Sequence, residues 1–329
     1  MVIPTLAAGE PLVECLQSLE DQTFRDFNVV VIDNSGKGLA RAAAQGCSVR
    51  LIENRRNMGF GAAVNQGIRE SHAPFVAVLN DDAAARPGWL AGLMRTMELE
   101  PEAGMCASMV LLAGRGVLDS AGMLMCPDGS SKQRGHGRPA SEFARQEEVL
   151  FPSGSAALYR RVMLDRIGGF DEDFFLYSED TDLGLRARWA RWRCLYAPEA
   201  VVEHRYSHSA GRASPLKAYY VERNRLFLLV KNFPVSMLAK VPMATLSRYW
   251  WHAVSLRTGS GAAAQFRAEG NSVWRLGWII LRAHLAMLLS LPSLVKKRRD
   301  IRRNARLAPL EFQSLLGRYS ISPREVAAL

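Results

Sequence analysis

The stretch NVVVIDNSGKGLARAAAQGCSVRLIENRRNMGFGAAVNQGIRESHAPFVAVLN, residues 28–80, decides the fold. Apolar runs at 28–33, 49–53 and 74–80 are bounded by turn residues, and stretches of helical length lie at 61–71 and, upstream, at 10–22. Strand alternating with helix is the pattern of a parallel α/β sheet. In such sheets ligands collect beyond the carboxyl ends of the strands. The polar residues that close these runs, Thr5, Asp33, Asn80, Asp81 and Asp82, are therefore candidates for one shared site.

Outward from this core, MVIPT at the start reads as the end of a buried strand, so further residues are expected upstream; no charged and apolar leader precedes it, and no secretory signal is expected. Residues 114–148, rich in Gly, Ser and Arg with weak periodicity, read as an irregular insertion or a lid. Residues 219–231 interleave apolar side chains with Arg223, Arg225 and Lys231 as a helix does, and the first domain is expected to close there. The division is a catalytic domain at 1–225 and a basic, amphipathic helical tail at 226–329.

Charge supports that division. The tail holds 16 Lys/Arg and 4 Asp/Glu of the chain's 42 and 32, which leaves 26 and 28 upstream, so the two parts carry +12 and −2. A basic pI confined to the tail points to a tail that meets an anionic surface, phospholipid or nucleic acid. The run at 276–295 is long enough to cross a bilayer, but Arg282 and His284 lie near its middle and Pro292 near its end. A mid-span Arg costs about 2.5–3.5 kcal/mol on the insertion scale. A helix lying in the membrane interface accommodates the same residues at lower cost, and a helical subdomain docked on the protein is the alternative. The five cysteines are odd in number, widely spaced and without a C-x-x-C pair, so neither a disulfide framework nor a zinc knuckle is indicated and a reducing compartment is expected.

Carboxylates carry the chemistry, in the order Asp33, Asn80-Asp81-Asp82, Asp171, Glu179-Asp180-x-Asp182, followed by His204. Singly, each is as readily a cap or a solvated acid. Together they match what sugar transfer from a nucleoside diphosphate requires: a held base, a neutralised leaving diphosphate and a deprotonated acceptor hydroxyl. Asp82 is a hard oxygen ligand suited to Mg or Mn, and a neutral imidazole can complete such a shell.

The segments VIPT at 2–5, VIDNSG at 31–36, NRRNMGFGAAVNQGI at 54–68, LNDDA at 79–83 and GGFDEDFFLYSEDTDLGLRAR at 168–188 resemble family 2 glycosyltransferases, and within them the rhamnosyltransferase-like branch. The resemblance covers residues 2–209 and implies an α/β GT-A fold, Rossmann-like, with a C-terminal α-helical membrane-associating region. It implies that Pro4 and Thr5 line the nucleotide pocket, that Asp33 contacts base or ribose, and that Asn57, Gly59 and Asn65 lie in the nucleotide-binding loop. Gly59 and Gly61 would let backbone approach the nucleotide, and the next helix would offer its N-terminus to phosphate.

In the family's D-x-D motif the last acid binds the metal, here Asp82; Asn80 takes the first position, and Asp81 faces the diphosphate or supports the ligand. Asp180 corresponds to the general base, supported by Glu179. His204, in VVEHRYSHS at 201–209, corresponds to a late metal ligand. Arg186 either faces the diphosphate or pairs with Asp182 one turn back. Asp171 shapes the acceptor pocket or caps a turn, and Trp89 is expected to pack. Two departures are Arg191-Trp192, where the family has Gly-Trp, tolerable if that turn avoids positive φ, and the short first strand.

The reading is an inverting transfer of a sugar, rhamnose from a dTDP donor or a sugar from a UDP donor, to a polyprenyl-diphosphate-linked saccharide in cell-envelope polysaccharide synthesis. The enzyme would sit in the cytoplasm, peripherally attached to the cytoplasmic face of the inner membrane. Rivals are weaker. A nucleotidyltransferase would want a glycine-rich loop with Arg and Lys where VIPTLAAGEP stands. A nucleic-acid-binding protein would want aromatics interleaved in the basic run at 296–303, and would leave the acids unexplained; no nucleic-acid partner is expected. A silent glycosyltransferase-like scaffold would not need Asp82 and Asp180.

Overall fold

The computed structural model describes residues 1–205, 214–259 and 261–328; positions 206–209 of the VVEHRYSHS segment lie outside the described residues. The chain forms two compact units, one of residues 1–123, 133–187 and 192–205, the other of 124–132, 188–191 and the described residues from 214 onward.

In the first unit a ten-stranded sheet is built from β1 (Val2–Thr5), β2 (Val29–Asp33), β3 (Val49–Glu53), β4 (Phe75–Leu79), β5 (Ala83–Ala85), β6 (Ala103–Leu112), β7 (Leu118–Ser120), β10 (Glu147–Val149), β11 (Ala156–Arg160) and β12 (Arg193–His204). Met123–Met125 (β8) and Ser131–Gln133 (β9) form a separate two-stranded ribbon. The order is β10-β12-β6-β11-β4-β1-β2-β3, with β5 on β12 and β7 on β6. Strands β1 to β4 run parallel where they pair, as their alternation with α1 (Glu10–Glu20), α2 (Arg41–Ala44) and α3 (Phe60–Arg69) predicts. Strand β11 is antiparallel to both β4 and β6, so the sheet is mixed.

Apolar side chains of both partners hold the layers together. Leu12 and Leu16 of α1 and Trp89 and Leu93 of α4 (Trp89–Leu99) are buried with Ile3, Val31 and Leu79 of the sheet. Each such side chain contributes about 1.5–3 kcal/mol when withdrawn from water. Trp89 is a packing residue, fully buried, its indole N–H donating to Ser108 Oγ at 2.8 Å. Helix α3 lies so close to β1 that a Cβ at Gly67 would stand 2.4 Å from Val2 Cγ1.

Register places the functional ends. Thr5 pairs with Asp33 and Asp33 with Glu53, so β1, β2 and β3 end side by side. Strand β5 runs antiparallel to β12 with His204 opposite Ala83, which sets His204 beside the Asn80–Asp82 turn although it comes far later in sequence. The segment 114–148 is more ordered than its composition predicts: it contains β7, β8, β9 and a 3-10 turn at Ala140–Phe143 before entering β10. After β11, α5 (Arg161–Ile167) and α6 (Glu179–Trp189) complete the helices before β12.

The second unit is helical: α7 (Pro215–Asn232), α8 (Val235–Leu238), α9 (Val241–Thr258), α10 (Gly261–Ala268), α11 (Val273–Asn304), α12 (Pro309–Arg318) and α13 (Pro323–Ala328). Ser214 caps α7 by accepting from the Lys217 N–H, and Ser272 caps α11 by accepting from Trp274 N–H. Helix α11 runs through Pro292 and includes the whole basic cluster at 296–303. Trp189 stacks on Phe312 at 3.8 Å between ring centroids, with Arg302 over the indole. The turn at Arg191 does not avoid positive φ: Arg191 is at +68°, held by its N–H to Arg188 O and by an exposed ion pair with Glu311.

Candidate active site

The turn after β4 gathers three strand ends. Asp82 Oδ1 lies 3.1 Å from His204 Nε2, and both side chains are buried. Asn80 Nδ2 lies 3.4 Å from the same nitrogen. The other imidazole nitrogen, Nδ1, is 2.8 Å from Asp119 Oδ2 on β7, and Asp119 Oδ1 is 3.2 Å from His136 Nδ1. Burial works against a charge on His204, but the hydrogen bonds to Asp119 and Asp82 outweigh it and push the imidazole up to about 10. Burial likewise works against Asp119, and its two histidine partners pull its carboxyl below the usual range. Asp119 and His136 come from the segment whose composition reads as a lid, where no local pattern marks them.

Asp81 points the other way. The Thr5 hydroxyl donates to Asp81 Oδ2 at 2.5 Å and accepts from the Ala8 N–H at 3.1 Å. Burial pushes the Asp81 carboxyl up to about 6, the Thr5 hydrogen bond opposing and the charge of Asp82 reinforcing that shift. Pro4 precedes Thr5 in the buried end of β1.

The second acid group stands at the N-terminus of α6 and is tied to the first through the 153–155 loop. Asn80 N–H donates to Ser155 O at 2.8 Å, and Gly154 N–H donates to Asp180 Oδ2 at 2.8 Å. Asp180 Oδ1 also accepts from its neighbour's N–H, Thr181, at 2.6 Å. Burial raises the Asp180 carboxyl, moderated by these N–H donors. Glu179 is buried, its Oε2 has no hydrogen-bond partner among the described residues, and burial followed by the charge of Asp180 pushes it up to about 8. The backbone leading into this pair is strained: Phe175, Tyr177 and Ser178 all have φ between 61° and 67°. Non-glycine residues at such angles cost on the order of 1–3 kcal/mol each and cluster at functional sites.

Other sequence candidates are placed in the surrounding framework. Asp33 accepts from Ser35 N–H and Ala40 N–H and so shapes the loop after β2. Asn57 Oδ1 accepts from Asn34 Nδ2 and Gly59 N–H. Asn65 holds Phe170 from both sides, donating to its carbonyl and accepting from its N–H. The glycine requirement at Gly59 arises from protein: φ is +88°, and a Cβ would lie 2.5 Å from Phe175 O. The first N–H of α3, on Phe60, donates to that same carbonyl, so the Phe175 loop takes the place expected for phosphate at this N–H. Arg186 pairs with Asp182 at 2.8 Å and donates to the carbonyls of Ile167, Gly168 and Gly169; buried inward pairing is thus the arrangement observed, with a diphosphate-facing guanidinium disfavoured. Asp171 caps the short 3-10 turn Glu172–Phe174.

Two carboxylate groups gathered beyond the carboxyl end of the central strand β4, one with a histidine, are what a nucleotide-sugar enzyme needs, and comparison with known proteins agrees. The pattern of Glycosyl transferase family 2 matches residues 1–168. The chain is 33% identical over 247 residues to N-acetylglucosaminyl-diphospho-decaprenol L-rhamnosyltransferase of Mycobacterium tuberculosis, which covers 67% of this chain and 80% of that protein. This chain belongs to glycosyl transferase family 2. Its fold is GT-A. This glycosyltransferase is similar to the mannosyltransferase PcManGT from Pyrobaculum calidifontis in complex with GDP-Man and Mn2+, with a TM-score of 0.54 and 16% identity over 92% of this chain and 84% of that one. It is also similar to GalNAc-T7 with UDP, GalNAc and Mn2+, with a TM-score of 0.60 and 14% identity over 75% of this chain and 50% of that one.

The donor set of this glycosyltransferase fits a divalent cation. Asp82 Oδ1 and His204 Nε2 converge, and the Nδ1 contact to Asp119 would orient the ring as metal-bound histidines are oriented, with a cation taking the place of the proton that Nε2 shares with Asp82. Among the described residues no set of three His, Cys, Asp or Glu ligands converges, so diphosphate and water oxygens would have to complete the shell.

Proposed function

We propose that this glycosyltransferase transfers L-rhamnose, with inversion, from a nucleoside-diphosphate donor to a saccharide carried on a polyprenyl diphosphate, in cell-envelope polysaccharide synthesis at the cytoplasmic face of the inner membrane. The observation that carries this reading is the 33% identity to the mycobacterial rhamnosyltransferase across 80% of that protein's length. The preferred donor is dTDP-rhamnose, with a UDP-sugar as the alternative. The tail is the membrane-contacting part.

Asp180 accepts the proton of the acceptor hydroxyl as that oxygen attacks the anomeric carbon and the bond to the diphosphate breaks. Its raised carboxyl suits a base, since a more basic carboxylate takes a proton more readily. Gly154 N–H and Thr181 N–H fix its orientation. Asp82 and His204 would hold Mg or Mn, which when bound supplies positive charge to the leaving diphosphate. Thr5 keeps Asp81 turned toward β1. Single displacement inverts the anomeric configuration because the acceptor arrives opposite the leaving group.

The test is release of nucleoside diphosphate by purified protein with Mn or Mg, using dTDP-rhamnose, UDP-sugars and GDP-mannose as donors and an N-acetylglucosaminyl diphosphate lipid as acceptor. Rhamnosyl product formed only with dTDP-rhamnose supports the reading; transfer from another donor alone replaces rhamnose, and full activity in chelator removes the metal.

A further inference from the structure

We infer that the outward face of α11 is a docking surface for an anionic lipid bilayer, with its first half immersed among acyl chains and its second half at the headgroups. This rests on the proposed membrane-contacting tail and names the surface that makes the contact. Trp274, Trp278, Leu281, Leu285, Leu288 and Leu289 recur at the three- and four-residue spacing of one helix face, and all are exposed, Trp274 at 90% and Leu289 at 75%. The opposite face is used within the helical unit: Ile279, Ala283, Leu294 and Ile301 are buried.

Lipid is the occupant that the charge pattern selects. The same outward line continues beyond Pro292 as Lys296, Arg299 and Arg303, all exposed, Arg303 at 3.3 Å from Asp300. An apolar stripe running into a basic one matches a bilayer, whose apolar interior is bounded by anionic headgroups. A second copy laid parallel on this face would bring the basic stripes together, and an antiparallel one would leave Lys296, Arg299 and Arg303 without an acidic counterpart on the same line.

Geometry favours an interfacial helix over a spanning one. The exposed stripe from Trp274 to Leu289 is about 22 Å long at 1.5 Å per residue, short of a hydrocarbon core of about 30 Å. The helix is long and apolar enough to cross a membrane, but Ile279, Ala283 and Leu294 on its opposite face are buried within the helical unit, so lipid reaches only part of its circumference.

The experiment uses the full chain in co-sedimentation with vesicles of phosphatidylcholine alone and of phosphatidylcholine with phosphatidylglycerol. Three forms are compared: wild type, Trp278→Gln with Leu285→Gln and Leu288→Gln, and Lys296→Gln with Arg299→Gln and Arg303→Gln. Circular dichroism and donor-dependent nucleotide release verify folding. Wild type should bind, the apolar variant should lose at least about tenfold in partitioning, and the basic variant should lose its preference for phosphatidylglycerol. Quenching by bromine-labelled lipid should fall in a Trp274→Phe, Trp278→Phe form, an independent readout should a triple variant misfold. Undiminished binding by all forms would overturn the α11 assignment while leaving membrane attachment intact; no binding by wild type would remove both. A change in sedimentation coefficient of the apolar variant without lipid would instead assign the face to contact between copies.

Discussion

Asp119 Oδ2 stands 2.8 Å from His204 Nδ1, so a residue of the 114–148 segment aims the imidazole at Asp82. Its role is positioning, since it reaches the proposed metal only through His204. Asp119→Asn should weaken Mn2+ binding by about 10–100-fold, the usual cost of losing such a partner. Calorimetric titration with Mn2+ in the presence of nucleoside diphosphate measures this apart from turnover. Equal affinity in variant and wild type would show that His204 needs no help from Asp119.

Asp180→Asn keeps an oxygen for Gly154 N–H or Thr181 N–H but abolishes the base. Turnover should fall by at least about a hundredfold while nucleotide affinity stays near wild type. A variant retaining more than a tenth of the rate would remove Asp180 from proton transfer.

Glu179 links the site to stability. Its folded-state value of about 8 lies above the ordinary 4.5, so the stabilisation tied to its protonated form is complete below about 4.5 and is lost as pH rises through about 8. Wild type should therefore lose more urea resistance than Glu179→Gln between about pH 5 and pH 9. Parallel pH profiles for the two proteins would show that Glu179 is already ionised when folded.

Strand ends were legible because a buried parallel strand closed by a polar residue has few other readings: Thr5, Asp33 and the Asn80–Asp82 turn all fall at the carboxyl ends of β1, β2 and β4. What could not be read was pairing across long separations. Asp119 meets His204 only because β7 and β12 both pair with β6. A glycine-rich turn such as that at Gly59 shows that something approaches without saying what, and in this structure the Phe175 carbonyl is the atom a Cβ would meet. Arg186 was ambiguous for a similar reason, and burial beside Asp182 decides it.

Arg191 occupies the left-handed region at +68°. A non-glycine residue there costs about 1–2 kcal/mol, partly offset by the exposed Glu311 pair, which is worth at most about 1 kcal/mol. Arg191→Gly relieves the strain but forfeits the pair and loosens the unfolded chain, so it should stay within about 1 kcal/mol of wild type. Arg191→Val, β-branched at a positive φ, should cost at least about 2 kcal/mol. Urea unfolding of both variants measures the order, and a Val variant as stable as wild type would show that this turn relaxes to negative φ.

Within the helical unit, Arg248 joins two buried acids: Nε donates to Asp128 Oδ2 at 2.5 Å and Nη2 to Glu222 Oε2 at 2.8 Å. Glu222 Oε1 also accepts from Arg225 Nη2 and the Tyr249 hydroxyl, so two acids and two guanidinium groups balance in charge. Burial would raise Glu222, but Arg225 and Arg248 outweigh it and hold the carboxyl at about 2. Because that value lies below the ordinary 4.5, the stabilisation is present above about 4.5 and is lost as pH falls through about 2. Arg248→Met leaves Asp128 and Glu222 short of a partner and should cost about 3–5 kcal/mol, as broken buried pairs do. Adding Glu222→Gln to Arg248→Met removes one uncompensated charge and should recover part of that loss, whereas Glu222→Gln alone should destabilise. Urea unfolding of the two single variants and the double at neutral pH completes the cycle. Additive losses would mean that the two side chains contribute independently despite their 2.8 Å contact, and the network would then have no cooperative role in the unit's stability.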